Sequence, residues 1–153
     1  MLITLFLIER ERLSQPLLYL SAYIEAHRQE YYELLQRVRT HGDWNAWIVY
    51  FLTGVEETAQ QALRQTGLLI DLRERYHHQL RDYPKAAGLI DQLFFNPYMT
   101  VARAAQVLGV SNPTARKAVE RLEQAGVLQE TTGREWGRVY LASAISAAIR
   151  NPP

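Results

Sequence analysis

The 153-residue sequence contains no cysteine. Disulfides, thiolate zinc sites and thiol nucleophiles are thereby excluded, and the composition fits a reducing compartment such as the cytoplasm. An excess of charge of one sign is also missing. Lys plus Arg is 17 and Asp plus Glu is 16, a formal charge of +1 that gives no bulk attraction to a polyanion. Nor is there an apolar run long enough for a bilayer, which needs ~20 residues. The first eight residues, MLITLFLI, lack a basic flank and a small-residue cleavage site and meet Glu9, Arg10, Glu11 and Arg12 at once, so they read neither as a membrane span nor as a signal peptide. Residues 2 to 8 are apolar almost all round, which predicts a helix that neighbours must cover on every side.

What is present is helical periodicity. The Pro16 segment, Gln15 to Ser21, reads as a connector with Ser21 as a helix cap, and a helix is expected from Ala22 to about Arg39, stopped by Thr40, His41 and Gly42. A second begins at Asp43. Trp44, Trp47, Ile48, Phe51, Leu52, Val55, Ala59 and Ala62 predict one continuous buried stripe, which Leu69, Leu72 and Tyr76 extend to about residue 82, and Gly54 and Gly67 mark close packing or a bend. No strand-like alternation precedes residue 127 and there is no internal repeat. Tyr83 and Pro84 break the pattern, which divides the chain into residues 1–82 and 83–153. Basic charge collects in the second part, where residues 84 to 153 hold eight basic and five acidic side chains.

After a short helix with the stripe Leu89, Ile90, Leu93 and Phe94, stopped at Asn96 and Pro97, Thr100 caps a helix whose apolar positions are Val101, Ala104, Ala105 and Leu108. Gly109 makes a turn and Val110 fills the gap. Ser111 caps the next helix with Pro113 in its first turn, and Gly126 ends it. Ala115, Ala118, Val119 and Leu122 form the buried side of this helix, so Asn112, Thr114, Lys117 and Arg121 face solvent. Strands are expected at Val127–Leu128 and Val139–Leu141, with a polar turn from Thr131 to Gly137 between them.

The run LGVSNPTARKAVERLEQAGVL, Leu108 to Leu128, resembles the winged-helix repressor family. The fold class that follows is mainly α: a helical bundle segment, then a winged helix-turn-helix with a small β-hairpin wing. The resemblance implies that Asn112, Thr114, Lys117 and Arg121 meet bases or phosphates in the major groove, while Arg134 and Arg138 of the wing reach backbone or minor groove. Thr100 to Arg138 holds six basic and four acidic residues, so protein contact stands beside DNA contact as a role for this surface.

The preceding half carries a second resemblance. The order ERERL, PLLYLS, AYIEAHRQEYYELL and GDWNAWIVYFLTGV, spanning about residues 1 to 82, is similar to the C-terminal part of Fic proteins, which transfer AMP from ATP to protein hydroxyls. That family's signature HPFxxGNGR should precede an apolar helix like residues 1 to 13. No Gly-Asn-Gly occurs in the sequence, and His27 and His41 are followed by Arg28 and Gly42, so neither is the family's base. The chemistry needs a histidine to take the proton, a carboxylate for magnesium and glycine amides with an arginine for the phosphates. ATP and magnesium are therefore cofactors of the full-length family, with none expected on this chain. Tyr31 and Tyr32 match a tyrosine pair that helps line the family's adenine site, with packing in a helical core as the other reading; where the family often has an asparagine later in that helix, this sequence has Arg37 or Arg39. His77 and His78 are adjacent, and helix neighbours ~100° apart chelate a metal poorly.

The expectation is thus a catalytically silent C-terminal portion of a Fic-type AMP-transferase whose winged helix binds DNA or protein. The alternatives are a stand-alone winged-helix transcriptional regulator, and a partner or homodimer subunit that associates through residues 1–82.

Overall fold

A computed structural model describes residues 9–11 and 20–150. The apolar helix expected at residues 2 to 8, and the connector up to residue 19, lie outside the described residues. Contacts divide the chain into two compact units, residues 1–64 and 65–153. Most of what is described is helical, with one small antiparallel sheet. Among the described residues no helix is long and apolar enough to cross a membrane.

In the first unit, α1 (Leu20–Ala26) and α2 (Arg28–His41) replace the single helix expected from Ala22, and Ser21 lies inside α1 instead of capping it. The break is at His27 (φ −113°, ψ 35°). Its Nδ1 lies 3.0 Å from the Tyr23 carbonyl, which also accepts the His27 amide, so a side chain has entered the backbone ladder. Gly42 ends α2 in the left-handed conformation (φ 65°), its amide donating to the Val38 carbonyl. Asp43 then accepts from the Ala46 amide at the start of α3 (Trp44–Gln79) and pairs with Arg37.

The buried face of α3 in this unit differs from the predicted stripe. Trp44, Ile48 and Leu52 are exposed, Trp47, Phe51 and Val55 are half-buried, and the fully buried positions are Tyr50, Gly54 and Thr58. The physical reason is the Tyr23 ring. It lies so close to Gly54 that a Cβ there would sit 2.5 Å from Tyr23 Cδ1, and it packs 5.4 Å from the Tyr50 ring. Thr58 tolerates burial because its hydroxyl donates to the Gly54 carbonyl at 2.6 Å.

The second unit begins within α3, whose Leu72 and Tyr76 belong to its core together with Leu80 just past the helix end. Pro84 does interrupt the helices, taking the first turn of α4 (Pro84–Ala87), but the division between compact units falls earlier, between Arg64 and Gln65. There follow α5 (Ile90–Phe95), β1 (Tyr98–Met99), α6 (Val101–Leu108), α7 (Asn112–Gln124), β2 (Gln129–Glu130), β3 (Tyr140–Leu141) and α8 (Ser143–Arg150). The strands lie in the order β1-β3-β2, both pairs antiparallel, with Tyr140 opposite Met99 on one side and Glu130 on the other. Strand β1 contradicts the expectation of none before residue 127, because two residues are too few to show a period of two. Val127 and Leu128 are buried in the core, and pairing starts one residue later at Gln129.

The core of this unit is built from Leu80, Leu89, Ile90, Leu93, Met99, Val119, Leu122, Val127 and Ile145. Two surface ties hold its helices in place. Asp91 of α5 accepts from Arg73 Nε at 2.7 Å and lies 3.1 Å from His77 Nε2, both on α3. Gln65 Nε2 donates to the carbonyls of Ala148 and Ile149, occupying acceptors at the end of α8.

Candidate nucleic-acid interface

Local chemistry positions α6 and α7. The Thr100 hydroxyl accepts from the Arg103 amide at 3.2 Å, capping α6, and Gly109 (φ 62°) makes the turn that an L side chain would strain. Val110 packs against the core. Ser111 precedes α7, but its hydroxyl meets that of Thr114 at 3.1 Å instead of a backbone amide, and Pro113 occupies the first turn. Ala115, Ala118, Val119 and Leu122 are buried, as their spacing requires.

At 100° per residue that buried line sends the remaining side chains of α7 to three places. Lys117 stands on the open face, at the edge of the cleft that Thr114 and Arg121 also border. Asn112 and Arg116 turn towards the loop joining β2 and β3, where with Trp136, Arg138 and Tyr140 they border a cleft of about 400 Å³. Thr114 and Arg121 lie on the opposite flank, bordering a cleft of about 290 Å³ with Tyr83, Pro84 and Lys85. The six residues expected to touch DNA are therefore not one patch. Arg121 has its guanidinium 3.6 Å above the Tyr83 ring, and its Nη1 donates to Gln124 at 3.3 Å. Arg116 was missed by the sequence reading, although its position one turn after Asn112 is the signal that finds it.

The hairpin is heavily braced. Glu130 accepts from the amides of Thr132 and Gly133 and from the Thr132 hydroxyl, and these bonds hold its carboxyl below the usual carboxylate range. The Thr131 amide and hydroxyl both donate to the Val139 carbonyl. Nearer the tip, Arg138 Nε donates to the Arg134 carbonyl at 2.9 Å, closing a loop with Trp136 at its middle. Trp136 is 83 % exposed.

The tyrosine pair of the first unit stays together, with ring centroids 5.5 Å apart and edge to face, but its members differ in burial. Tyr31 is half-buried, 6.3 Å from the Tyr50 ring, whereas Tyr32 is exposed beneath Arg28, whose guanidinium carbon is 5.8 Å from the ring centroid. Arg37 is engaged with Asp43. Among the described residues no group of three His, Asp or Glu side chains could hold a metal ion. No protein-family model matches the chain.

Proposed function

We propose that residues 84–150 are a winged helix-turn-helix that binds duplex DNA, joined to the C-terminal helices of a Fic-type AMP-transferase. The observation that carries the DNA reading is the setting of α7. Its buried line turns Asn112 and Arg116 outward beside a braced hairpin bearing Arg134 and Arg138, and leaves Lys117 on the exposed side of the same helix. An exposed helix of this kind fits the major groove, and a basic hairpin beside it reaches the flanking phosphates or minor groove. The stand-alone regulator shares this interface. A gel shift at low salt is the test: the wild-type chain retards duplex DNA, and the double variant Arg116→Ala, Lys117→Ala does not. Equal retardation by the double variant would remove α7 from the interface.

The Fic reading is supported by the sequence of residues 1–82, and it assigns no AMP transfer to the residues present, for want of a phosphate-binding loop. Incubation with ATP, magnesium and candidate protein targets is expected to label none of them; labelling of any target overturns this. A second reading, docking of another protein or a second copy on the first unit, is favoured by the exposed Trp44, Ile48 and Leu52, three apolar side chains one turn apart. It predicts a mass above the monomer in light scattering that Ile48→Glu returns to the monomer value.

A further inference from the structure

We propose that Trp136 is a base-stacking residue, inserted from the tip of the hairpin into duplex DNA; this rests on the DNA-binding reading above. Three observations on the tip converge. The indole is 83 % exposed, and among the described residues the one aromatic side chain more exposed is Phe95, at 86 %. The hairpin beneath it is held by Glu130, by the Thr131–Val139 pair and by the Arg138-to-Arg134 bond, so the exposure is built into a fixed turn. Gly133 (φ 61°) and Gly137 (φ 66°) set the shape of that turn, since a side chain at either would be strained. The indole also borders the same cleft as Asn112 and Arg116 of α7, so the tip and the helix offer one continuous surface.

The chemistry of that surface selects its ligand. A flat aromatic ring stacks on any nucleobase, and a wedge between base steps is a recurrent way for a protein to enter a groove. Arg134 and Arg138 stand two positions to either side of Trp136 and match the phosphates that flank such a step. An apolar protein pocket would instead have to desolvate both guanidinium groups. Glu135 is adjacent and bears the opposite charge, so the tip's charge is only weakly positive and stacking must supply part of the affinity.

The test uses the full chain and a short fully paired duplex, the same duplex with one T·T mismatch, and the corresponding single strand. Trp136→Ala should weaken binding to the duplex by about five- to hundredfold, the range of base–aromatic stacking, while Trp136→Phe keeps most of it. The salt dependence of Trp136→Ala should match wild type, whereas Arg134→Ala should lower the slope by about one. The mismatched duplex should bind more tightly, because unstacking costs less there. Indole emission should fall on saturation in wild type but not in Trp136→Phe. Unchanged thermal unfolding of Trp136→Ala keeps a folding defect out of the comparison. Equal duplex affinity of wild type and Trp136→Ala, or a loss accompanied by a lower salt slope, overturns the stacking role while leaving DNA binding intact; so does preference for the single strand over both duplexes. Failure of the wild-type chain to bind any duplex at low salt overturns the DNA reading itself, and the stacking role with it.

Discussion

Gly54 and Gly67 both lie inside the unbroken helix α3, and their surroundings give them opposite consequences. A Cβ on Gly54 would meet the Tyr23 ring, which is itself packed against His27 and Tyr50. Gly67 has nothing within 4 Å of such a carbon. Gly54→Val is therefore expected to destabilise by about 1–3 kcal/mol through overpacking. Gly67→Ala should stabilise by up to about 1 kcal/mol, because it removes backbone freedom from the unfolded chain without a clash. Urea unfolding of the two variants checks the signs, and a stabilising Gly54→Val would mean that the Tyr23 ring moves aside freely. Arg121 permits a similar separation of roles. Its guanidinium covers Tyr83, and its Nε is buried with no hydrogen-bond partner, so the side chain serves packing first. Arg121→Ala should lower stability by about 0.5–2 kcal/mol, the range of a partly desolvated cation–π contact, and leave the salt slope of DNA binding where it was. A slope reduced by about one would show that Arg121 neutralises a phosphate after all.

Between elements, the tie from α3 to α5 rests on Asp91, whose carboxyl is held below its ordinary value of 3.8 first by the hydrogen bond from Arg73 and then by that from His77. A depressed carboxyl contributes stability above its unfolded value and loses it as pH falls through the folded one. Both Asp91 and Arg73 are about half exposed, so solvent screening keeps the contribution small. Asp91→Asn should thus be slightly less stable than wild type at neutral pH, and the gap should close as pH drops below 3.8, as followed by urea midpoints across the acid range. A gap that persisted unchanged in acid would assign the effect to something other than this ion pair. The same scale explains what the sequence disclosed. Thr100, Gly109, Pro113 and Gly126 each act through one or two neighbouring residues, and the elements they bound were legible with the buried side of α7. The inward face of α3 was legible at Leu72 and Tyr76 but not in the first unit, because Tyr50, Gly54 and Thr58 owe their burial to a ring on another helix, to the lack of a side chain and to a hydroxyl bonded locally. Nor was the Arg121–Tyr83 stack, a contact with no local spacing to announce it. The break at His27 and the two-residue strand β1 fall below the length at which periodicity can speak.

For the molecule as a whole, net charge and charge placement point in different directions. A formal charge of +1 gives no general attraction to nucleic acid. Among the described residues, the basic side chains of the proposed interface without a side-chain hydrogen bond or ion pair are Arg116, Lys117 and Arg134, with Arg138 tethered through Nε to the Arg134 carbonyl. DNA affinity should therefore depend on salt only as steeply as these few contacts allow. With three or four phosphates neutralised, the logarithm of the binding constant should fall with a slope of about −3 to −4 against the logarithm of salt concentration. Raising salt from about 50 to 200 mM should then weaken binding by about a hundredfold. Fluorescence anisotropy of a labelled duplex over that range measures the slope directly. A slope near zero would leave phosphate contacts out of the interaction and turn the surface of α7 and the hairpin towards protein. A slope twice as steep would require basic residues beyond these four, and the first to replace would be Lys85, beside Lys117 in the smaller cleft.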